Sequence, residues 1–448
     1  MFTWPEATLM RLLAAAGIFL VAGVYLRGWR RLPRPALPPG PGHATDPAST
    51  RALLLCLGGL ALLAVAFISP LGYLATQYFS ARIVQHMLVV ASVPSLLMFA
   101  NPAPALPTPP GHLPRDIGYD AGAWAVLFSP GARGEQANGQ YIIDKLIGYI
   151  DAAQSSIDLA VFETNLTPVA EALIRAHERG VAVRWLTDDE NGRDADGEEG
   201  RGQFALLEAA GIPIRDDLRS AFMHNKFILI DDRILWTGSM NLTTNDVFRN
   251  NNNVVVLASP AAVAVYAREF EEMWGGQFGP RSPSNVNGQT VQTAGGLPIT
   301  IRFAPEDEPF DSLVQLVGLA NESIRFMAFS FTQDELGEIM RRRAAEGVVV
   351  QGIFEVRGSE TAYSEMPAMF CDGLEVRQDG NPGTFHHKVV IIDDFVVITG
   401  SMNFSDNAAD SNDENVIAIA DPAIGRLYRE EFVRRWGEAT APDVSCEE

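Results

Sequence analysis

Cysteine is scarce in this chain: Cys56, Cys371 and Cys446 stand far apart and form no Cys-x-x-Cys pair. That excludes a cysteine-built zinc site, gives no sign of a disulfide framework and leaves the redox compartment open. Basic residues are few as well. Against 55 Asp and Glu there are 34 Lys and Arg, a formal net charge of -21. The deficit is uneven: residues 1–110 carry seven Arg and two acidic residues (+5), which leaves 27 basic against 53 acidic residues beyond them (-26). An acidic remainder does not favour non-specific binding to nucleic acid, which rests on neutralising phosphates, although it leaves room for a local basic cleft. Calcium-loop spacing is also missing. The acidic run 188–200, DDENGRDADGEEG, lacks the EF-hand pattern and reads as a solvated loop near the cleft.

What the first hundred residues lack is charge. Apolar runs cover residues 12–26, 52–69 and 83–99. The second is the clearest candidate to span a membrane; Arg11 adjoins the first, and His86 and Pro94 interrupt the third. Glu6 before the first run and the cluster Arg27, Arg30, Arg31 and Arg34 after it argue against a cleavable signal peptide. By the positive-inside rule that cluster sits in the cytoplasm. Three spans then leave the rest of the chain on the cytoplasmic side of a bacterial inner membrane, which is the expectation; two spans would leave it outside. Residues 1–100 are thus read as transmembrane helices. Residues 101–119, opening NPAPALPTPPGH, are read as an extended proline-rich linker.

The remainder contains a repeat. Residues 223–241, MHNKFILIDDRILWTGSMN, recur as residues 386–403, HHKVVIIDDFVVITGSMN. Both follow one template: His-x-Lys, four residues, Asp, six residues, Gly-Ser-x-Asn. The first copy supplies His224, Lys226, Asp231, Ser239 and Asn241; the second supplies His386, Lys388, Asp393, Ser401 and Asn403. Each copy reads as a strand, a tight acidic turn and a returning strand. The repeat extends outward. VLFSP matches IRFAP, SIDLAVF (156–162) matches SIRFMAF (323–329), and EFEEMWG matches EFVRRWG. Residues 120–279 and 298–448 are therefore expected to be two equivalent α/β halves, joined by a linker at 280–297. The strand–helix–strand order predicts largely parallel sheets.

Strand alternation puts His and Lys of each copy on one face, with the variable residue, His387 in the second copy, pointing away. A lysine with neutral donors suits a phosphate. In-line displacement at phosphorus needs a nucleophile on one side and a proton donor on the other. Two copies meeting at one cleft supply both, with one imidazole attacking to give a phosphohistidine and the other serving as acid and then base. Both copies lie in one chain, so a second chain is not required.

These residues resemble the phospholipase D superfamily, whose HKD signature is this template in duplicate. The resemblance implies two pseudo-symmetric α/β/α halves sharing one active site, a mechanism without metal or other cofactor, and phosphodiester or phospholipid substrates. It implies catalytic roles for His224, Lys226, Asp231, His386, Lys388 and Asp393, with Ser239, Asn241, Ser401 and Asn403 on the substrate phosphate. Fourteen residues past the motif glycine the second copy has Glu414 and the first has Asn252. In the family an acidic residue here commonly orients an imidazole, so Glu414 takes that part and the halves differ. The resemblance also suggests His224 as nucleophile and His386 as acid.

The segment ISPLGYLATQYFSARIVQHMLVVASVPSLL is similar to the cytochrome c oxidase assembly-factor family of membrane proteins, cut short. His86 and Met87 offer a metal-ligand pair there, but packing is the simpler reading. The expected function is a membrane-tethered phosphodiesterase acting on phospholipid. The alternatives are a nuclease, which needs a basic groove, a cardiolipin-synthase-like phosphatidyltransferase, and a copper-handling assembly protein.

Overall fold

The computed structural model describes residues 118–120, 124–282, 288–292, 296 and 298–446. The expected apolar spans, the arginine cluster, Cys56, His86, Met87 and the proline-rich stretch 101–112 lie outside the described residues. No helix among the described residues is long and apolar enough to cross a membrane. Pro109–Glu448 form one compact unit.

The first half contains β1 (Gly118–Asp120), β2 (Trp124–Phe128), α1 (Gln136–Ala152), β3 (Ser156–Val161), α2 (Thr167–Glu178) and β4 (Ala182–Thr187). It continues through α3 (Gln203–Ala209), β5 (Ile214–Asp216), β6 (Lys226–Ile230), β7 (Ile234–Gly238), α4 (Thr244–Phe248), β8 (Asn253–Ala258) and α5 (Pro260–Trp274). The second half repeats the series: β9 (Gln289–Gln292), β10 (Pro298–Ala304), α6 (Pro309–Gly318), β11 (Ser323–Ala328), α7 (Asp334–Ala345) and β12 (Val349–Phe354). It closes with α8 (Glu365–Cys371), β13 (Glu375–Gln378), β14 (Lys388–Ile392), β15 (Val396–Gly400), α9 (Asp406–Asp410), β16 (Glu414–Ala420) and α10 (Pro422–Glu438). Strand β9 falls inside the stretch expected to be linker.

Each half builds one eight-stranded sheet, ordered β1-β2-β8-β7-β6-β3-β4-β5 and β9-β10-β16-β15-β14-β11-β12-β13. The two orders correspond place by place. Only β3-β4-β5 and β11-β12-β13 run parallel. The expectation of largely parallel sheets is therefore corrected. Parallel neighbours need a long crossover, which α2 and α7 provide, whereas the motif strands are hairpins and hairpins are antiparallel.

The motif strands are buried on both faces. Phe227 and Leu229 face a central core, while Ile228 and Ile230 face an outer one. Val389 and Ile391 alternate in the same way with Val390 and Ile392. The central core belongs to both halves. It holds the inner faces of both sheets together with Tyr266 and Phe270 of α5 and Tyr428 and Phe432 of α10. Helix α5 packs on β10 of the other half, and α10 on β2. The closing aromatics belong to this core, Trp274 and Trp436 at its margin: Phe270 stacks on Trp274 at 5.7 Å between ring centroids and Phe432 on Trp436 at 5.4 Å.

Cys371, the last residue of α8, forms a disulfide with Cys446, which ties down the C-terminal tail. The cysteine spacing gives no sign of this bond. The partners are 75 residues apart, and chain separation alone does not reveal which cysteines meet in space.

Candidate active site

The hairpin turns carry two of the residues for which the resemblance implied catalytic roles, Asp231 and Asp393. Asp231 and Asp232 have φ of 53° and 52°, and Asp393 and Asp394 have 52° and 51°. Two successive left-handed residues form the tight turn that matches strand twist, and Asp tolerates that conformation. The Asp231 carboxylate accepts the backbone N–H groups of Gln154 at 2.9 Å, Ser155 at 2.7 Å and Ser156 at 3.2 Å. Asp393 does the same for Asn321, Glu322 and Ser323. For Asp231, burial pushes the pKa up, but the amides of Ser155, Gln154 and Ser156 outweigh it and hold the carboxyl below its ordinary value. Asp231 is five residues along a strand from Lys226, about 16 Å at the usual rise. Both aspartates therefore hold the entrance to β3 or β11, at the end of the strand away from the lysine.

A folded pKa below the unfolded one contributes stability above the unfolded value, and that contribution is lost as pH falls through the folded one. Asp231→Asn is expected to lower unfolding stability at pH 7 by roughly 1–2 kcal/mol while leaving turnover per folded molecule within about 3-fold. Denaturant melts and single-turnover rates check this, and a collapse of turnover in a stably folded variant would overturn the assignment.

The returning strands end at Gly238 and Gly400, both with φ of 146°. A Cβ on Gly238 would sit 2.2 Å from the Asn253 carbonyl oxygen, so the close pairing of β7 with β8 requires glycine. The serine hydroxyls that follow do not face the cleft. Ser239 is fully buried, donates to Asn252 Oδ1 at 2.8 Å and accepts from Asn253 N at 3.1 Å. Ser401, also fully buried, accepts from Asn415 N at 2.9 Å. Both hydroxyls are thus engaged within the fold, where the resemblance implied a place on the phosphate. Oδ1 of Asn241 and of Asn403 accepts no hydrogen bond; the donor of each amide is Nδ2, which in Asn241 meets Glu163 at 3.5 Å.

The histidines are held across the halves. His224 donates its backbone N–H to the Asp413 carbonyl, and His386 donates its own to Asn251, each at 2.9 Å. Nδ1 of His224 lies 2.8 Å from both carboxylate oxygens of Glu414. Nδ1 of His386 lies 2.9 Å from Asn252 Oδ1. An amide oxygen only accepts, so Nδ1 of His386 carries the proton. Each ring therefore takes its partner from the other half, and Nε2 remains as its reactive nitrogen.

The lysines repeat the symmetry. Nζ of Lys226 donates to the His224 carbonyl at 2.8 Å, and Nζ of Lys388 to the His386 carbonyl at 3.0 Å. One phenylalanine in each half serves both groups. The Phe162 ring contacts His224 edge-on at 4.9 Å and lies 5.1 Å from Lys226 Nζ; Phe329 stands likewise at 5.0 Å from His386 and 4.7 Å from Lys388 Nζ.

Electrostatics join the four groups into one site. Burial, then the Lys226 and Lys388 ammonium groups, pulls the His224 pKa well below its ordinary value. Burial, Lys388, Lys226 and His224 do the same to His386. Burial pushes Glu414 up to about 8, with Lys226 opposing. Burial pulls Lys226 down to about 8, opposed by Glu414, Asp246, Glu163 and Asp188. Burial and then Lys226 pull Lys388 well below its ordinary value. Two buried ammonium groups repelling each other, each with N–H capacity to spare, form a site whose complement is an anion.

The buried network beneath the site was not anticipated. Asn415 accepts from Thr237 at 2.9 Å and donates to Asn225 at 2.9 Å; Asn253 accepts from Thr399 at 2.8 Å and meets His387 Nδ1 at 3.2 Å. These asparagines weld the halves together, and His387 points away from His386 as strand alternation requires. A signal was present, since an asparagine follows Asn252 and Glu414 alike. The loop at 188–200 also departs from expectation. Asp188 is fully buried and accepts from the Asn191 N–H at 2.8 Å, and burial with Asp188 raises Asp217 to about 7. The loop's first residue is thus anchored in the fold, whereas Glu190, Asp194 and residues 197–200 are exposed.

Residues 146–274 and 313–436 match the family described as cardiolipin synthase, PLD-like domain. The chain belongs to the phospholipase D-like family. Human mitochondrial cardiolipin hydrolase is 35% identical over 169 residues, which are 35% of this chain and 63% of that protein. The Chlamydomonas reinhardtii protein of the same name is 32% identical over 136 residues, 30% of this chain and 57% of that one. The chain thus spans 57–63% of the length of these two curated relatives. Phosphatidylserine synthase of Haemophilus influenzae shares the phospholipase D-like fold, with a TM-score of 0.53 at 14% identity over 73% of this chain and 89% of that one. Residues 23–131 match a second family, the cytochrome c oxidase caa3 assembly factor, and that match runs past the proline-rich stretch into β2.

Proposed function

We propose that the chain is a phosphodiesterase that hydrolyses phospholipids through a phosphohistidine on His224. The observation that carries this reading is the crossed pairing, His224 with Glu414 and His386 with Asn252. With the substrate anion facing Lys226 and Lys388, His386 takes a second proton on Nε2. Nε2 of His224 then attacks phosphorus while the bond to the alcohol oxygen breaks, and the His386 imidazolium passes its Nε2 proton to that oxygen. His386, now neutral, takes a proton from water as the water oxygen attacks phosphorus. The N–P bond then breaks and His224 is restored. A carboxylate directly on His224 stabilises the ring while it carries phosphorus. A neutral amide on His386 leaves that ring readier to release its proton. Lys226, Lys388, Asn241 and Asn403 stabilise the non-bridging oxygens. An alcohol in place of water would give transfer, the reaction that the matched family's description implies.

The names of the relatives and the assembly-factor segment support a phospholipid at a membrane. Carboxylates near Lys226 (Glu163 and Asp188 beside Glu414 and Asp246) support it over DNA. The Cys371–Cys446 disulfide favours an oxidising compartment for the catalytic body, because such bonds persist there.

The test is the purified full chain with phosphatidylcholine, cardiolipin and single-stranded DNA, each with EDTA. Phospholipid turnover that survives chelation is expected. Its kcat/KM should fall above about pH 8 as Lys226, lowered to about 8, loses its charge. Selective DNA cleavage would replace this reading with a nuclease.

A further inference from the structure

The two halves differ at a second position that balances the first. Asp246, on α4, corresponds to Ala408 on α9, just as Asn252 corresponds to Glu414. Asp246 is 3% exposed, and Ala408 is 1% exposed in the outer core of its half. The Asp246 carboxylate is fully engaged. Oδ1 accepts from Asn252 Nδ2 at 3.0 Å and from Asn250 Nδ2 at 2.6 Å, and Oδ2 accepts from the Asn241 backbone at 2.9 Å. Its Oδ1 stands 3.8 Å from Nδ1 of His386. Each half therefore buries one carboxylate behind the other half's histidine, either in contact with the ring or one amide removed.

We infer that Asp246 is the positioning residue for His386, acting through Asn252 to supply the negative charge that Glu414 supplies directly to His224. The Asn252 amide is pinned by its Nδ2 on Asp246 and by the Ser239 hydroxyl on its Oδ1. That fixes its oxygen toward His386 and leaves the ring only the Nδ1–H tautomer. An amide polarised by a carboxylate is a stronger acceptor than an amide alone. It favours the imidazolium that must protonate the leaving alcohol, yet less strongly than direct contact would. The charged and titratable groups acting on His386 are Asp246, Lys388, Lys226, His224 and His387. Of these, Asp246 is the anion.

The inference rests on the proposed acid role of His386, so its test has an arm that needs no activity. In the full chain, 15N NMR of labelled histidine follows the His386 titration. Asp246→Asn is expected to lower that pKa by about one unit. Kinetics supply the second arm. A short-chain phosphatidylcholine loses an alkoxide, which requires a proton, whereas bis(p-nitrophenyl) phosphate loses a stable phenolate. In Asp246→Asn the ratio of phosphatidylcholine to aryl turnover should fall about 10-fold; a merely structural loss would lower both together. The double variant Asp246→Ala with Asn252→Glu copies the arrangement that the second half already accommodates, and it should restore the ratio. A wild-type chain that turns over neither diester defeats the proposed function and leaves the NMR arm to decide. A His386 titration unmoved by Asp246→Asn overturns the inference whatever the rates do.

Discussion

Replacing His224 with alanine should lower phosphodiester turnover by at least about 10⁴-fold, the scale on which removal of a covalent nucleophile is felt. The effect is expected to fall on kcat for every diester, activated or not, because each passes through the covalent step whatever its leaving group. Lys226 hydrogen-bonds the His224 backbone carbonyl, and the backbone N–H is held by Asp413, so the surrounding cradle survives the substitution. KM should accordingly change little. Steady-state rates with a circular-dichroism melt check this; turnover within 100-fold of wild type in a folded variant would assign the nucleophile elsewhere.

The second large effect separates the two steps. In His386→Ala with bis(p-nitrophenyl) phosphate, the first step needs no proton donor because the phenolate leaves unaided. The second step does need a base to activate water, and its loss typically costs about 10²–10⁴-fold. A rapid release of one nitrophenolate per site, followed by a near-complete stall, is therefore expected in stopped flow. With a phospholipid, whose alkoxide requires protonation, the same variant should show no burst. A linear time course without a burst for the aryl diester would mean that His386 does not serve the hydrolytic step.

Much of the site was legible because the chain states it twice. The spacing of His224, Lys226 and Asp231, repeated at His386, Lys388 and Asp393, identified the hairpins, the faces of their side chains and the family. Less legible were roles that depend on what a side chain meets in space. Asp231 and Asp393 recur as faithfully as the histidines, yet they organise turns at the far ends of the strands. Repetition marks constraint and does not distinguish chemistry from architecture. Ser239 and Ser401 share the motif but turn inward, because the buried amides of Asn253 and Asn415 require an acceptor. Glu414 is legible as a point where the halves differ, but the histidine it meets lies in the other half, which only the packing of α5 and α10 between the sheets determines. Asp246 stood in the sequence beside Asn252 with Ala408 opposite it. Its relevance emerges only when the two carboxylates are seen behind opposite rings. The parallel-sheet expectation failed for a related reason: β3-β4-β5 is a crossover pattern, but the motif hairpins outnumber it.

The central claim is that two imidazoles from opposite halves act on one phosphorus in turn. The most direct measurement is mass spectrometry of peptides from His386→Ala quenched after the nitrophenolate burst. The account predicts a nitrophenyl phosphoryl adduct on His224 at close to one per chain, absent when His224 is also replaced. Recovery of the adduct on another residue, or of unmodified protein after a full burst, would contradict it.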